Sequence, residues 1–176
     1  CSSIAVVVQG LKICIGGIEM IISNNMEEMI CREIWENEDY NINVSSDSIV
    51  IDIGMNVGYA TLFFANKKFV KRVYSFEPES DVYNKAIVAI AMNKAVNKKI
   101  QTYQVACSNC NKEEVYIVHN TKSAGMHKER IGEVIDESQK RNIKCIDSAE
   151  VLGEIIDTHC LHERIVVKCD CEGAEY

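Results

Sequence analysis

Asp52-Ile-Gly54-Met-Asn56-Val-Gly58 stands directly after a β-branched run and directly before a helical pattern. Glycines at such a junction permit a tight turn and let a ligand approach the backbone closely. The helix start presents unpaired N–H groups, against which a polar or anionic group can sit. Asp52, at the strand's carboxyl end, is placed to meet a cationic ammonium directly or through water. Glu77 follows 19 residues after Gly58, at the end of the next strand pattern. A carboxylate there can accept hydrogen bonds from both hydroxyls of a ribose. Loop and acid together point to a nucleoside attached to a group that the glycine loop accommodates. The spacing is G-x-x-x-G rather than G-x-G-x-x-G, which disfavours a dinucleotide pyrophosphate. An NAD-dependent oxidoreductase remains the alternative reading of the same strand, loop, helix and acid.

These residues need a scaffold, and the surrounding pattern supplies one. Ile49–Ile53 is short, continuous and ends at a glycine, as a strand buried in a parallel sheet does. Residues 58–67 continue as a helix, and Arg72–Phe76 forms a second strand ending in Glu77-Pro78. Residues 81–95 carry a helical pattern that Ser80 or Asp81 caps. Ile100–Cys107 reads as a third strand and Glu113–Val118 as an extra one. Residues 120–140 read as a polar loop with some helix. Asn142–Ile146 is a short strand, Ser148–Ile156 a short helix, and Ile165–Cys169 the last strand. This alternation predicts an α/β, Rossmann-like domain with a mostly parallel sheet over residues 48–176. Residues 1–47 read as an N-terminal appendage. Within it, Ile4–Val8 and Lys12–Ile15 suggest a hairpin about Gln9-Gly10. Residues 24–37 suggest a helix with Met26, Met29, Ile30 and Ile34 on one face, capped by Asn24 or Asn25. Tyr40–Asp47 is polar and irregular and makes the boundary.

Composition narrows the class. With 176 residues, 47% of them hydrophobic and 26% charged, the chain can bury a core of its own and is not a disordered one. Nineteen basic against 26 acidic residues argues against a nucleic-acid partner. The most apolar region, Ile4–Ile22, is interrupted by Gln9, Lys12 and Glu19, so no membrane span is expected. It also lacks the marks of a signal peptide. Nine irregularly spaced cysteines, with Cys14, Cys31, Cys145 and Cys169 in apolar runs, read as buried, reduced thiols of a cytoplasmic protein. Cys107-Ser-Asn-Cys110, Cys169-Asp-Cys171 and His159-Cys160-Leu-His162 do not combine into two half-sites of zinc spacing, so no metal is expected.

Four stretches in order carry a family resemblance. Ile51-Asp-Ile-Gly-Met-Asn-Val-Gly-Tyr59, Phe76-Glu-Pro78, Val105-Ala-Cys-Ser108 and Lys168-Cys-Asp-Cys-Glu-Gly-Ala-Glu-Tyr176 resemble the motifs of FkbM-type methyltransferases. Arg32-Glu-Ile-Trp-Glu-Asn-Glu-Asp-Tyr40 is similar to the lead-in of some members. The departures are Met55, where alanine is common, and Cys171, where valine or isoleucine is common. The resemblance implies a class I enzyme dependent on S-adenosyl-L-methionine. It implies that Gly54, Asn56 and Gly58 line the methionine part of the cofactor and that Asp52 helps place its amino group. Glu77, beside Pro78, would bind the ribose, and Ala106 and Cys107 would lie near the adenine. Asp170 and Glu172 would lie beside the transferable methyl, where substrate is oriented. The bland alternative for that pair is a helix cap.

The implied reaction is displacement at a sulfonium methyl. Its thioether leaving group is already good, so the enzyme needs proximity, in-line alignment and removal of the acceptor's proton. Asp170, Glu172, His119 and His127 are the candidates for that base, and Ser123 lies in a loop where the family often carries a serine. A small-molecule or glycan hydroxyl is the expected acceptor. Family members continue past Glu172-Gly173 with further strands, so the sheet is expected to lack its C-terminal strands in this chain. A non-catalytic, methyltransferase-like module is the remaining alternative.

Overall fold

A computed structural model of the chain describes residues 9–37, 39–41, 46–118, 126–127, 135–159 and 163–171. The expected strand Ile4–Val8 lies outside them. The described residues 11–15 form a hairpin with the next segment of the chain. β1 (Leu11–Ile15) pairs antiparallel with β2 (Ile18–Ile22) around Gly16 and Gly17. Both glycines have positive φ, 58° and 82°, which a two-residue hairpin turn of this hand requires. β2 turns Ile18, Met20 and Ile22 into the core, while Cys14 on β1 faces outward. α1 (Asn25–Trp35) follows, and the Asn24 side chain accepts from Glu27 N as its cap.

The central sheet has the order β10 (Arg164–Cys169), β3 (Ser48–Ile53), β4 (Val70–Phe76), β5 (Ile100–Tyr103), and every pairing in it is parallel. All six residues of β3 are buried, because both faces of the sheet are covered. On one face, Val50 and Val73 pack with β2, α1, α2 (Tyr59–Asn66) and α3 (Ser80–Met92). On the other, Ile51, Ile53 and Phe76 pack with Ile155 of α4 (Ser148–His159). The N-terminal hairpin and α1 therefore share a core with the sheet. α3 starts at Ser80, and its cap is Glu79, whose side chain accepts from Val82 N, rather than Ser80 or Asp81.

The expected third strand, Ile100–Cys107, is two strands in two sheets. β5 ends at Tyr103, opposite Phe76. The chain then leaves the central sheet, and β6 (Ala106–Ser108) pairs parallel with β9 (Lys140–Asp147). β9 also pairs antiparallel with β7 (Lys112–Val118), which pairs with β8 (Met126–His127). This second sheet is mixed, so the parallel arrangement belongs to the central one. Of the expected loop 120–140, residues 137–139 form a single 3-10 turn. Among the described residues no helix is long and apolar enough to cross a membrane.

Candidate functional site

The loop after β3 reverses direction through three left-handed residues: Gly54 at φ 82°, Asn56 at 52° and Gly58 at 90°. Gly54 is required twice over, since a Cβ there would sit 2.0 Å from the Asp170 carbonyl oxygen. Asn is the side-chain-bearing residue that best tolerates the conformation at position 56. The sequence places unpaired N–H groups at the helix start, which is Tyr59, and the loop amides before it are paired within the chain. The amides of Gly54 and Met55 donate to the Phe76 carbonyl, Asn56 N to Glu77 Oε2 at 2.9 Å, and Val57 N to Asn56 Oδ1 at 2.7 Å. Gly58 N donates to the Met55 carbonyl. The amides of residues 54–58 are thus all satisfied within the chain.

Asp52 lies beneath the loop with no solvent exposure. Its Oδ2 accepts from Thr61 Oγ1 at 2.6 Å, and Thr61 also meets Ser75 Oγ at 2.9 Å. Its Oδ1 lies 3.1 Å from Lys168 Nζ, an ion pair without hydrogen-bond geometry. The ammonium is aimed instead at the Gly54 carbonyl, 2.6 Å away, with Ile53 O at 3.5 Å. Lys168 side-chain exposure is only 9%. One buried cation thus ties the end of β10 to β3 and to the glycine loop.

Glu77 sits at the far end of the same loop, 7% exposed. Its two oxygens accept from Asn56 N and from Glu79 N, at 2.9 and 3.0 Å. Burial pushes its carboxyl up to about 7, against the opposing pull of those two amide donors. Each oxygen keeps acceptor capacity beyond its one backbone donor.

These strand ends enclose a cavity of about 420 Å³. Gly54, Asn56, Glu77, Pro78, Ala106, Cys107 and Asp170 all line it. Asp52 and Gly58 do not. Asp52 reaches the site through Lys168, and Gly58 packs against Ala86 of α3, where a Cβ would lie 3.2 Å from the alanine's own. Glu172, His119 and Ser123 lie outside the described residues, as does the side chain of His127. The Asp170 carboxylate accepts from Tyr40 hydroxyl at 3.0 Å. Tyr40 leans on Phe64, ring centroids 6.0 Å apart, and its ring faces Lys168 Nζ at 5.8 Å.

The sequence reading missed one wall altogether. Met26, Met29, Ile30 and Ile34 of α1 line the cavity, with Glu33, Asp39 and Tyr40 beside them. Their helical spacing was legible, but not the surface they face. Among the described lining residues Glu33, Asp39, Glu77 and Asp170 oppose a single lysine or arginine, Lys168, which Asp52 already balances. The cavity favours a cationic ligand with an apolar part. Phe76, stacked on Tyr103 at 4.7 Å, and Val105 supply further apolar surface.

The family model of the methyltransferase FkbM domain matches residues 52–176. Among solved structures, the chain is similar to methyltransferase FkbM from Methylobacillus flagellatus at 8% identity and a TM-score of 0.44, over 72% of this chain and 34% of that one. It is also similar to a candidate transferase from Pyrococcus horikoshii at 18% identity and a TM-score of 0.37, over 54% of this chain and 36% of that one. The chain thus spans about a third of the length of these solved structures. No curated protein matches.

Proposed function

The chain belongs to the methyltransferase FkbM family, and from that premise we propose that it binds S-adenosyl-L-methionine in the cavity and methylates a hydroxyl of a sugar, glycan or secondary metabolite. The observation that carries this reading is the convergence of Gly54, Glu77, Ala106 and Asp170, from four separate strand ends, on one acidic cavity. The fit is chemical. A cofactor bearing an ammonium and a sulfonium suits a lining rich in carboxylates. A ribose diol suits a buried carboxylate with spare acceptor capacity, which Glu77 provides. A self-satisfied glycine loop suits a thioether chain better than a pyrophosphate, which favours this reading over the dinucleotide one.

When bound, the cofactor supplies an electrophilic methyl on a leaving group that needs no acid. The chain's residues then bind, orient and accept a proton. Glu77 holds the ribose hydroxyls, and Phe76, Val105, Ala106 and Cys107 flank the base. The Gly54 backbone, fixed by Lys168, borders the methionine part. Asp170, oriented by Tyr40, takes the acceptor's hydroxyl proton, with Glu172 proposed beside it. The cofactor domain spans residues 48–176, and α1 adds a wall from the segment before it.

Calorimetry with S-adenosylhomocysteine tests the reading. The ribose hydroxyls donate to the ionised carboxylate, so affinity should rise as pH passes upward through about 7, where Glu77 loses its proton. Glu77→Ala should abolish binding. Equal binding by Glu77→Ala, or preferential binding of NADH, would overturn it.

A further inference from the structure

Cys169 and Cys171 point to the same side, with their sulfurs 3.7 Å apart. Residues two apart in extended chain share a face, which brings the thiols together. The pair brackets Asp170. Cys169 is exposed and outside the cavity lining, whereas Cys171 is half-buried and lines it. We propose that Cys169 and Cys171 are a modification site, oxidised by a low-molecular-weight disulfide to an intrachain disulfide that reshapes the Asp170 turn and weakens ligand binding.

The geometry supports closure at this point. Cys169 is the last residue of β10 paired to β3, opposite Ile53. Cys171 lies beyond that ladder, so its backbone can tighten to bring the Cα atoms within disulfide range. In the first step the Cys169 thiolate attacks one sulfur of the external disulfide, forming a mixed disulfide and releasing one thiolate. The Cys171 thiolate then attacks the Cys169 sulfur and releases the second. Two cysteine thiols are oxidised to one disulfide, the external disulfide is reduced to two thiols, and the two protons go to the released thiolates. Cys107 is the competing neighbour, but burial pushes its thiol up to about 11, which leaves it protonated.

Closure matters because Asp170, between the two cysteines, is tied to the rest of the site at three points. The Asp170 carbonyl is the atom that excludes a side chain at Gly54, Asp170 N donates to the Ile53 carbonyl at 3.1 Å, and its carboxylate is held by Tyr40. Drawing Cys171 toward Cys169 moves the segment that touches the glycine loop.

The test treats the full chain with oxidised glutathione and maps cysteines by mass spectrometry. Trypsin cleavage after Lys168 separates this pair from every earlier cysteine. The expected result is a 169–171 peptide lacking two hydrogens, restored by dithiothreitol. Affinity for S-adenosylhomocysteine should fall by roughly tenfold on oxidation and recover on reduction. Cys169→Ser should keep the reduced-state affinity and lose the response. A persistent glutathione adduct on Cys169, a disulfide to Cys107, or a mapped 169–171 disulfide with unchanged affinity would each overturn the proposal. The effect on affinity rests on the proposed cofactor reading, but the mapping does not. Failure of the reduced chain to bind S-adenosylhomocysteine counts against that reading, while the mapped peptide still decides the site.

Discussion

β3 and β10 are neighbours in one sheet and end at one cavity, yet they hold their site residues by different means. β3 is paired on both sides and buried along its whole length. The loop it feeds is fixed by backbone conformation and by amides that all find acceptors within the chain. β10 has β3 on one side, no partner on the other among the described residues, and Val167 is 52% exposed. Its end is held by the Lys168 ammonium, the Tyr40 hydroxyl and one amide of Asp170. The side that receives the nucleoside is therefore built into the fold. The side that carries Asp170 is held largely by a few side chains.

That contrast can be broken most forcefully at the β10 side chain that neutralises Asp52 of β3. Lys168→Met leaves the Asp52 carboxylate buried without its counter-charge, and should cost about 3–5 kcal/mol in urea denaturation. An unchanged midpoint would mean that β3 does not depend on its neighbour. Gly54→Ala combines left-handed strain with a clash against Asp170, and should cost about 2–4 kcal/mol in the same measurement.

Glu77 adds a dependence on pH. Its folded carboxyl is raised from 4.5 to about 7, so between those values the folded state binds more protons than the unfolded one. Stability should then fall as pH rises across that window, by on the order of 2–3 kcal/mol. Comparing urea midpoints at pH 5 and pH 8 checks this, and Glu77→Gln should lose the fall. Tyr40→Phe should have the smallest effect on stability, about 1 kcal/mol or less, because the ring contact with Phe64 is kept. It should nevertheless weaken an analogue with a cationic amine at the methyl position about threefold more than S-adenosylhomocysteine, since it releases Asp170. Equal weakening of both would make Tyr40 purely structural.

The legible and illegible parts of the molecule divide along the same line. The strand, the turn glycine and Glu77 could be read from sequence, because each is a local demand of backbone conformation or strand-end chemistry. Tyr40 could not, since it lies in a polar stretch and meets its partner 130 residues away. Lys168 stood in a recognised motif without a role, because its role is a tertiary ion pair. Ala106 and Cys107 reach the cavity from a different strand than expected. An apolar run does not reveal that its chain leaves one sheet after Tyr103 and enters another. Cys14 and Cys169 lie in apolar runs and are exposed: Cys14 is on the outward face of β1, and Cys169 is at the exposed end of β10. The β1–β2 pairing about Gly16-Gly17 was not legible, because Ile18–Ile22 follows two glycines without a polar alternation that marks it as a strand.

The Asp52–Lys168 pair also bears on the order in which the chain assembles. β3, α2 and β4 are consecutive and can associate early, while Lys168 arrives only with β10. Until it does, closing β3 into the sheet would strand a carboxylate in an apolar interior, an unfavourable state for any intermediate. The early elements thus have reason to stay loose until the long loop between β3 and β10 is closed. Contacts so distant in sequence slow folding. In return, a partly assembled sheet is discouraged from persisting, and the cavity gains its wall of Lys168, Asp170 and Cys171 only when β10 docks.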